Sequence, residues 1–202
     1  MLYLITGGSG SGKSEYAENK LCELSKKTNS SKVYLATMIP YGRETEEKIN
    51  RHRQMRAKKN FQTEECFTNL SEFVKNMKLQ KNLDKKEVVL LECMSNLVAN
   101  ELFDETGVNT ILKKQDPALS NNEVVEKLTD YILNGVEKLN DIYENIVIVT
   151  NEVFSESTVY SNEMRMYKQV LGKVNCELAK VAVEVEEVIY LSLIHISEPT
   201  RR

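Results

Sequence analysis

The residues with the clearest chemistry lie near the start of the chain, in TGGSGSGKS, residues 6–14. Four of the eight glycines fall between Gly7 and Gly12, and Lys13 and Ser14 follow at once. Gly7, Gly12, Lys13 and Ser14 fill the pattern G-x-x-x-x-G-K-[ST], with Gly8, Ser9, Gly10 and Ser11 between the fixed positions. Glycines let successive backbone N–H groups turn inward onto phosphate oxygens. The lysine neutralises charge on the β- and γ-phosphates, and the serine hydroxyl is a ligand for Mg2+. The competing explanation is a Gly-Ser turn of no special purpose, and the flanking residues argue against it. Leu2–Thr6 reads as a buried strand, and Ser14 to about Lys26 as a helix whose N-terminus favours anions. In that context the pattern is a nucleoside-triphosphate site.

Two further stretches could complete it. KEVVLLE ends in Glu92 at the carboxyl end of an apolar run, the edge at which open parallel sheets bind ligands. A lone glutamate there is otherwise an ordinary strand end. Beside a phosphate loop it becomes the favoured metal-site carboxylate, acting with Ser14. The segment ETEEKINRHRQMRAKK, residues 44–59, crowds Glu44, Glu46 and Glu47 at its start and Arg51, Arg53, Arg56, Lys58 and Lys59 at its end. That order suits a helix dipole. Helical spacing puts Ile49, His52, Arg53 and Arg56 on one face. On spacing alone, a solvated charged helix with an incidental histidine is the commoner reading. The sharper reading is an imidazole nucleophile among cations that hold a triphosphate, since neutral imidazole offers a nitrogen able to attack phosphorus.

The elements that must position these groups alternate. Leu2–Thr6, Lys32–Thr37, Val88–Leu91, Ile146–Thr150 and Val185–Leu191 read as strands. Helical periodicity appears at Glu44–Lys58, Leu70–Met77, Ser95–Phe103, Glu123–Leu139 and Glu163–Glu184. In the last, Tyr167, Val170, Leu171, Val174, Leu178 and Val181 form one apolar stripe of core type. Asp104–Asn122 reads as a long polar loop. Such alternation predicts an α/β fold of the P-loop NTPase kind, a mostly parallel sheet with helices on both faces.

The 202 residues suit one domain, and a net charge of −3 argues against a general nucleic-acid binder. Four scattered cysteines without a C-x-x-C pair suit a reducing cytosol. With no apolar run approaching ~20 residues and no signal-peptide pattern, a cytoplasmic protein without a membrane span is expected.

The last residues, LSLIHISEPTRR, follow a different logic. Leu191 to Arg201 match, codon for codon, the translation of a common transposon-based sequencing adapter. Residues 1–190 are therefore expected to form the domain and 191–202 an adapter-derived tail, so that His195 and Glu198 carry no functional weight. That leaves His52 as the one histidine of the domain.

Taken together, TGGSGSGKSEYAE, YLATM, KINRHRQMR, FQTEEC, LLECMSNLVANELF, VTNEV and GKVNCELA resemble the bifunctional adenosylcobinamide kinases / adenosylcobinamide-phosphate guanylyltransferases of cobalamin biosynthesis. The resemblance covers residues 1 to about 190, with the motifs in the family's order. It implies Gly7–Ser14 as the phosphate loop and Ala36, Thr37 and Met38 as part of the nucleotide site. It implies His52 as the residue that becomes guanylylated, and Arg53, Gln54, Met55 and Arg56 as nucleotide contacts. Glu65 and Glu92 match the two acidic nucleotide-site positions; a carboxylate accepts hydrogen bonds from guanine N1–H and the exocyclic amine. The implied substrates are ATP and GTP with Mg2+, together with adenosylcobinamide and its phosphate. The implied state is a homo-oligomer, a trimer in the family. Phe61 stands where the family usually has tryptophan, Ala57 where proline often follows the arginine, and residues 154–160 lack the usual glycine- and proline-containing loop.

Two other readings remain at this point. One is a small-metabolite kinase in which His52 is incidental. The other is a GTP-binding switch, although the N-K-x-D tetrapeptide that reads guanine in such switches is absent.

Overall fold

The computed structural model describes residues 1–80, 86–155, 161–190 and 192–197, without the side chains of Glu44, Lys48, Met55, Gln80 and the last of these segments. The expected nucleotide contact through the Met55 side chain, and residues 156–160 of the departing loop, lie outside the described residues.

The strands are β1 (Leu2–Thr6), β2 (Ser31–Ala36), β3 (Gln62–Glu65), β4 (Glu87–Glu92), β5 (Asn145–Val149), β6 (Glu184–Ile189) and β7 (Ser192–Ser197). The helices are α1 (Lys13–Thr28), α2 (Gly42–Arg56), α3 (Leu70–Gln80), α4 (Met94–Phe103), α5 (Val108–Gln115), α6 (Asn121–Asn140) and α7 (Asn162–Val181), with a 3-10 turn at Ala57–Lys59. The sheet order is β3-β2-β4-β5-β1-β6-β7. Every pairing from β3 to β6 is parallel, and β7 joins β6 antiparallel.

Side-chain alternation builds two cores. Val88 and Leu90 of β4, Val147 and Val149 of β5, and Ile5 of β1 pack against Ala17, Leu21 and Leu24 of α1. The alternate residues, Val89, Leu91, Ile146, Ile148, Leu2 and Leu4, face the opposite layer. That layer is built from α3 to α7 through residues such as Val74, Leu97, Leu128, Ile132 and Val174. Helices thus cover both faces, as a sheet of near-continuous apolar strands requires. This is the P-loop NTPase architecture that the alternation predicts. β4 and β5 lie in the middle, and Val88 to Leu91 and Ile146 to Val149 are essentially inaccessible.

Three details differ from the sequence expectation. Asp104–Asn122 is not one loop, because α5 occupies Val108–Gln115 within it. Val108, Ile111 and Leu112 supply its short apolar pattern, and the buried carboxylate of Glu101 accepts the Val108 N–H at 2.9 Å. The short β3 carries QTEE, mostly exposed, and hydrogen-bonds to one edge of β2. An edge strand with solvent on both sides needs no apolar alternation, so its sequence gave no strand signal. In α7, Val170, Leu171, Val174 and Leu178 are buried, but Val181 in the last turn is two-thirds exposed (67%).

Within the adapter-like run, Ser192–Ser197 forms β7, paired through Ile189↔Ser192 and Val188↔Leu193 with β6. Without it β6 would present a row of unpaired N–H and C=O groups, which any extended, β-branched segment can cover. The pairing therefore requires no special sequence. We expect removal of residues 191–202 to lower the thermal midpoint by a few degrees while leaving nucleoside-triphosphate affinity unchanged, because the strands that carry the phosphate loop and Glu92 are β1 and β4. Thermal unfolding followed by titration with ATP checks both halves.

Candidate active site

The phosphate loop leaves β1 and enters α1 with little freedom. A side chain at Gly7 would put Cβ 2.5 Å from the Val188 carbonyl, so the backbone of β6 excludes anything larger than glycine. Gly12 adopts φ 91° at the N-cap of α1, and no side chain caps that helix. Its first N–H groups are left for an anion, as the helix dipole favours. Lys13 is buried, and its ammonium donates to the Gly8 carbonyl at 2.9 Å. The cation is thereby folded into the loop that it would share with phosphates.

Alternation along β4 decides where Glu92 points. Val88 and Leu90 face α1, and Glu92 continues that parity at the carboxyl end. Ser14, in the first turn of α1, donates its hydroxyl to Glu92 Oε1 at 2.8 Å. Glu92 Oε2 is inaccessible and has no hydrogen-bond partner. Burial pushes the Glu92 carboxyl up to about 7, against the lowering effects of the Ser14 hydrogen bond and of Lys13. A hydroxyl and a carboxylate are hard oxygen donors, and Mg2+ is usually held by one or two carboxylates plus substrate phosphates. The orphaned Oε2 beside Ser14 fits such an ion. No group of three or more His, Cys, Asp or Glu side chains that could hold a metal by itself occurs among the described residues.

The histidine helix approaches from the other side. At its C-terminal end Arg56 is buried, with its guanidinium carbon 3.5 Å from the centroid of the Tyr34 ring. Arg56 Nη1 has no hydrogen-bond partner. Lys59, one turn on, donates to the buried Glu18 of α1 at 2.7 Å. Arg53 meets Glu65 at 3.2 Å, both about half exposed, so that pair adds little stability and can open.

Loop, strand ends and helix enclose one cleft of about 960 Å3. That is at the upper end of small-molecule pockets, which run to about 1,000 Å3. Ser9, Gly10, Gly12, Lys13 and Ser14 face it from the loop, Ala36 and Met38 from the end of β2, and Glu65 and Glu92 from β3 and β4. His52, Arg53 and Arg56 face it from α2. Gly7, Gly8 and Ser11 shape the loop behind its lining. Thr37 does not line the cleft: wholly buried, it donates to the Cys93 carbonyl at 2.8 Å and accepts the Cys93 N–H at 2.7 Å. It fixes the chain just beyond Glu92. Gln54 is exposed and not part of the lining.

Tyr34, Cys93, Asn96 and Asn151 also line the cleft and were not singled out from sequence. The signal was available for Asn151, which follows an apolar strand, and for Asn96, which opens a helix after another. Cys93 is no competitor for His52 as a nucleophile. Burial, with the charge of Glu92, pushes its thiol up to about 11, so it stays protonated at neutral pH.

Residues 3–191 match the family described as cobinamide kinase / cobinamide phosphate guanyltransferase. The chain belongs to this family. Two relatives of the cobinamide kinase / guanyltransferase family are named bifunctional adenosylcobalamin biosynthesis protein CobU. The chain is 36% identical to that of Escherichia coli K12 over 107 residues, covering 53% of each chain. It is 30% identical to that of Salmonella typhimurium LT2 over 109 residues, covering 54% of each. The matched stretch thus spans about half the length of these relatives. Among solved structures, the ATPase domain of G40P aligns with a TM-score of 0.48 at 10% identity, over 92% of this chain and 68% of that one.

The raised Glu92 carboxyl sets a pH dependence. Between its ordinary value of 4.5 and about 7 the folded protein keeps a proton that the unfolded chain has lost, so stability falls as pH rises through that window. Above it the full cost of the buried charge remains. Glu92→Gln should raise the unfolding midpoint at pH 8 by roughly 5 °C, with little gain at pH 4. The same variant should lose Mg2+-dependent activity; calorimetric melts at both pH values and a Mg2+ titration of turnover test the two effects. Separately, Lys13→Ala should weaken ATP binding by about 100-fold, the cost of a charged phosphate contact, as read by isothermal titration.

Proposed function

We propose that this protein phosphorylates adenosylcobinamide and then transfers GMP from GTP to the product through His52, giving adenosylcobinamide-GDP. The observation that carries the reading is the shared cleft: the phosphate loop and the His52 face of α2 line the same cavity. Family membership supports the two reaction types.

In the kinase step, the loop N–H groups and Lys13 hold the triphosphate of ATP. The hydroxyl oxygen of the aminopropanol arm bonds to the γ-phosphorus as the bond to the β–γ bridging oxygen breaks. ADP leaves with the electron pair, and the hydroxyl proton is released to water. Ser14 and Glu92 would hold Mg2+, which when bound offsets negative charge on the phosphates.

In the second activity, an imidazole nitrogen of His52 bonds to the α-phosphorus of GTP and pyrophosphate leaves with the bridging oxygen. Arg53 and Arg56 flank the histidine and offset charge that moves onto the departing group, as cationic clamps do. A phosphate oxygen of adenosylcobinamide phosphate then attacks the phosphoramidate. The P–N bond breaks, and its electron pair returns to the imidazole. Splitting the transfer in two replaces one difficult displacement by two easier ones. Glu65 would read guanine through N1–H and the exocyclic amine once its pair with Arg53 opens. A homo-oligomeric state belongs to the same proposal.

Incubation with GTP and Mg2+ should add the mass of one GMP, in a linkage labile to acid and stable to alkali. His52→Asn should abolish the adduct and guanylyl transfer while keeping more than about a tenth of kinase turnover, because phosphoryl transfer does not pass through the imidazole. An adduct that persists in His52→Asn defeats the assignment, and no adduct in the wild type leaves a kinase alone.

A further inference from the structure

Three strand ends converge on the phosphate-binding edge of the cleft, and the roles above use only two of them. β1 delivers the phosphate loop and β4 delivers Glu92. β5 lies between them: Val149 is the register partner of Ile5 on one side and of Glu92 on the other. Two residues further along is Asn151, of the same parity as Val147 and Val149, whose side chains face α1. Asn151 lines the cleft together with Lys13, Ser14 and Glu92.

Its backbone is fixed on every side. The Asn151 N–H donates to the buried Ser95 hydroxyl at 2.7 Å. Before it, Thr150 donates its N–H to the Ile5 carbonyl at 2.9 Å and its hydroxyl to Asn175 Oδ1 at 2.9 Å. After it, the Glu152 N–H donates to the carbonyl of Gly7, the first residue of the phosphate loop, at 3.0 Å. The chain around Asn151 is thus tied to the loop itself, to β1, to α4 and to α7. None of these bonds uses the Asn151 side chain. A backbone so firmly held presents the Asn151 carboxamide to the cleft at a fixed place, and a preorganised donor is worth most where charge develops in a transition state.

We propose that the Asn151 carboxamide is a catalytic donor to the γ-phosphate in the kinase step, holding the phosphoryl group while it passes to the acceptor. A neutral donor suits this place. Lys13 already supplies cationic charge, and a second carboxylate beside Glu92 would repel the phosphate. The amide N–H follows the transferring phosphoryl oxygens without adding a charge that would have to be released with the product. The contact is specific to the γ-phosphate, so it serves phosphoryl transfer and not the attack of His52 on the α-phosphorus of GTP. This inference rests on the kinase half of the proposed function.

The test compares ligands with and without a γ-phosphate. Asn151→Ala should bind the non-hydrolysable analogue β,γ-imido-ATP with Mg2+ roughly tenfold more weakly than wild type, and ADP equally well. Its kinase kcat should fall by about 10²–10³-fold with little change in KM for the acceptor, and covalent labelling of His52 by GTP should persist. The thermal midpoint should stay near that of the wild type, because every tie around residue 151 is made by the backbone or by its neighbours. If Asn151→Ala is poorly folded, the isosteric Asn151→Asp replaces it and should lose still more affinity for the analogue through charge repulsion. Equal loss for ADP and the analogue, or an unchanged kcat, overturns the inference. If the wild type does not phosphorylate the corrinoid alcohol, the proposed function fails, while the ADP-against-analogue comparison still decides the role of Asn151.

Discussion

One hydrogen bond organises the centre of this molecule, that from the Ser14 hydroxyl to the Glu92 carboxylate at 2.8 Å. It joins the first turn of α1 to the end of β4 across an intervening strand. Its existence depends on strand parity. A one-residue shift of β4 would turn Glu92 to the opposite face and put an aliphatic side chain beside the phosphate loop. That parity is held by the two cores, since Val88 and Leu90 are buried on one face of the sheet while Val89 and Leu91 are buried on the other. The hydrophobic layers therefore fix the site's polar geometry.

The same cleft carries two buried polar atoms without partners, Glu92 Oε2 and Arg56 Nη1. Native proteins seldom leave such groups unsatisfied, and the cost is of the order of 1–3 kcal/mol each. One is acidic and stands by the phosphate loop. The other is cationic and sits on the helix of His52. The two lie near enough for the Arg56 charge to lower the Glu92 carboxyl, so a carboxylate that could meet a metal and a cation that could meet a phosphate face one cleft.

The two walls are built differently. The phosphate loop is embedded, its first glycine, Gly7, pressed against the backbone of β6 and its lysine folded inward. α2 is held near its C-terminal end, where Arg56 stacks on Tyr34 and Lys59 reaches Glu18, while residues Gly42, Arg43 and Glu47 at its start are exposed. The packing of Tyr34 against Phe61, edge to face at 6.1 Å, carries that anchor into the sheet. A ring of either phenylalanine or tryptophan can form such a contact, so the departure at Phe61 preserves the support.

By itself the sequence determined the phosphate loop, the central strands, the helices with long apolar stripes and the two charged segments. Those features are local: glycine spacing, period-two and period-3.6 patterns and helix-end charge are all written in adjacent residues. It missed β3 and α5, where an exposed edge and a short helix leave weak periodicity, and it placed Thr37 in the cleft although that hydroxyl is spent on Cys93. It also could not say whether His52 and Lys13 belong to one site, being 39 positions apart on separate elements. Only the tertiary structure decided that. The order β2-β4-β5-β1 brings the ends of four strands to one edge, and the anchoring of α2 on Tyr34 and Glu18 turns its histidine face toward the loop. Such convergence comes from which strands pair and which faces are buried, and no window of neighbouring residues contains it.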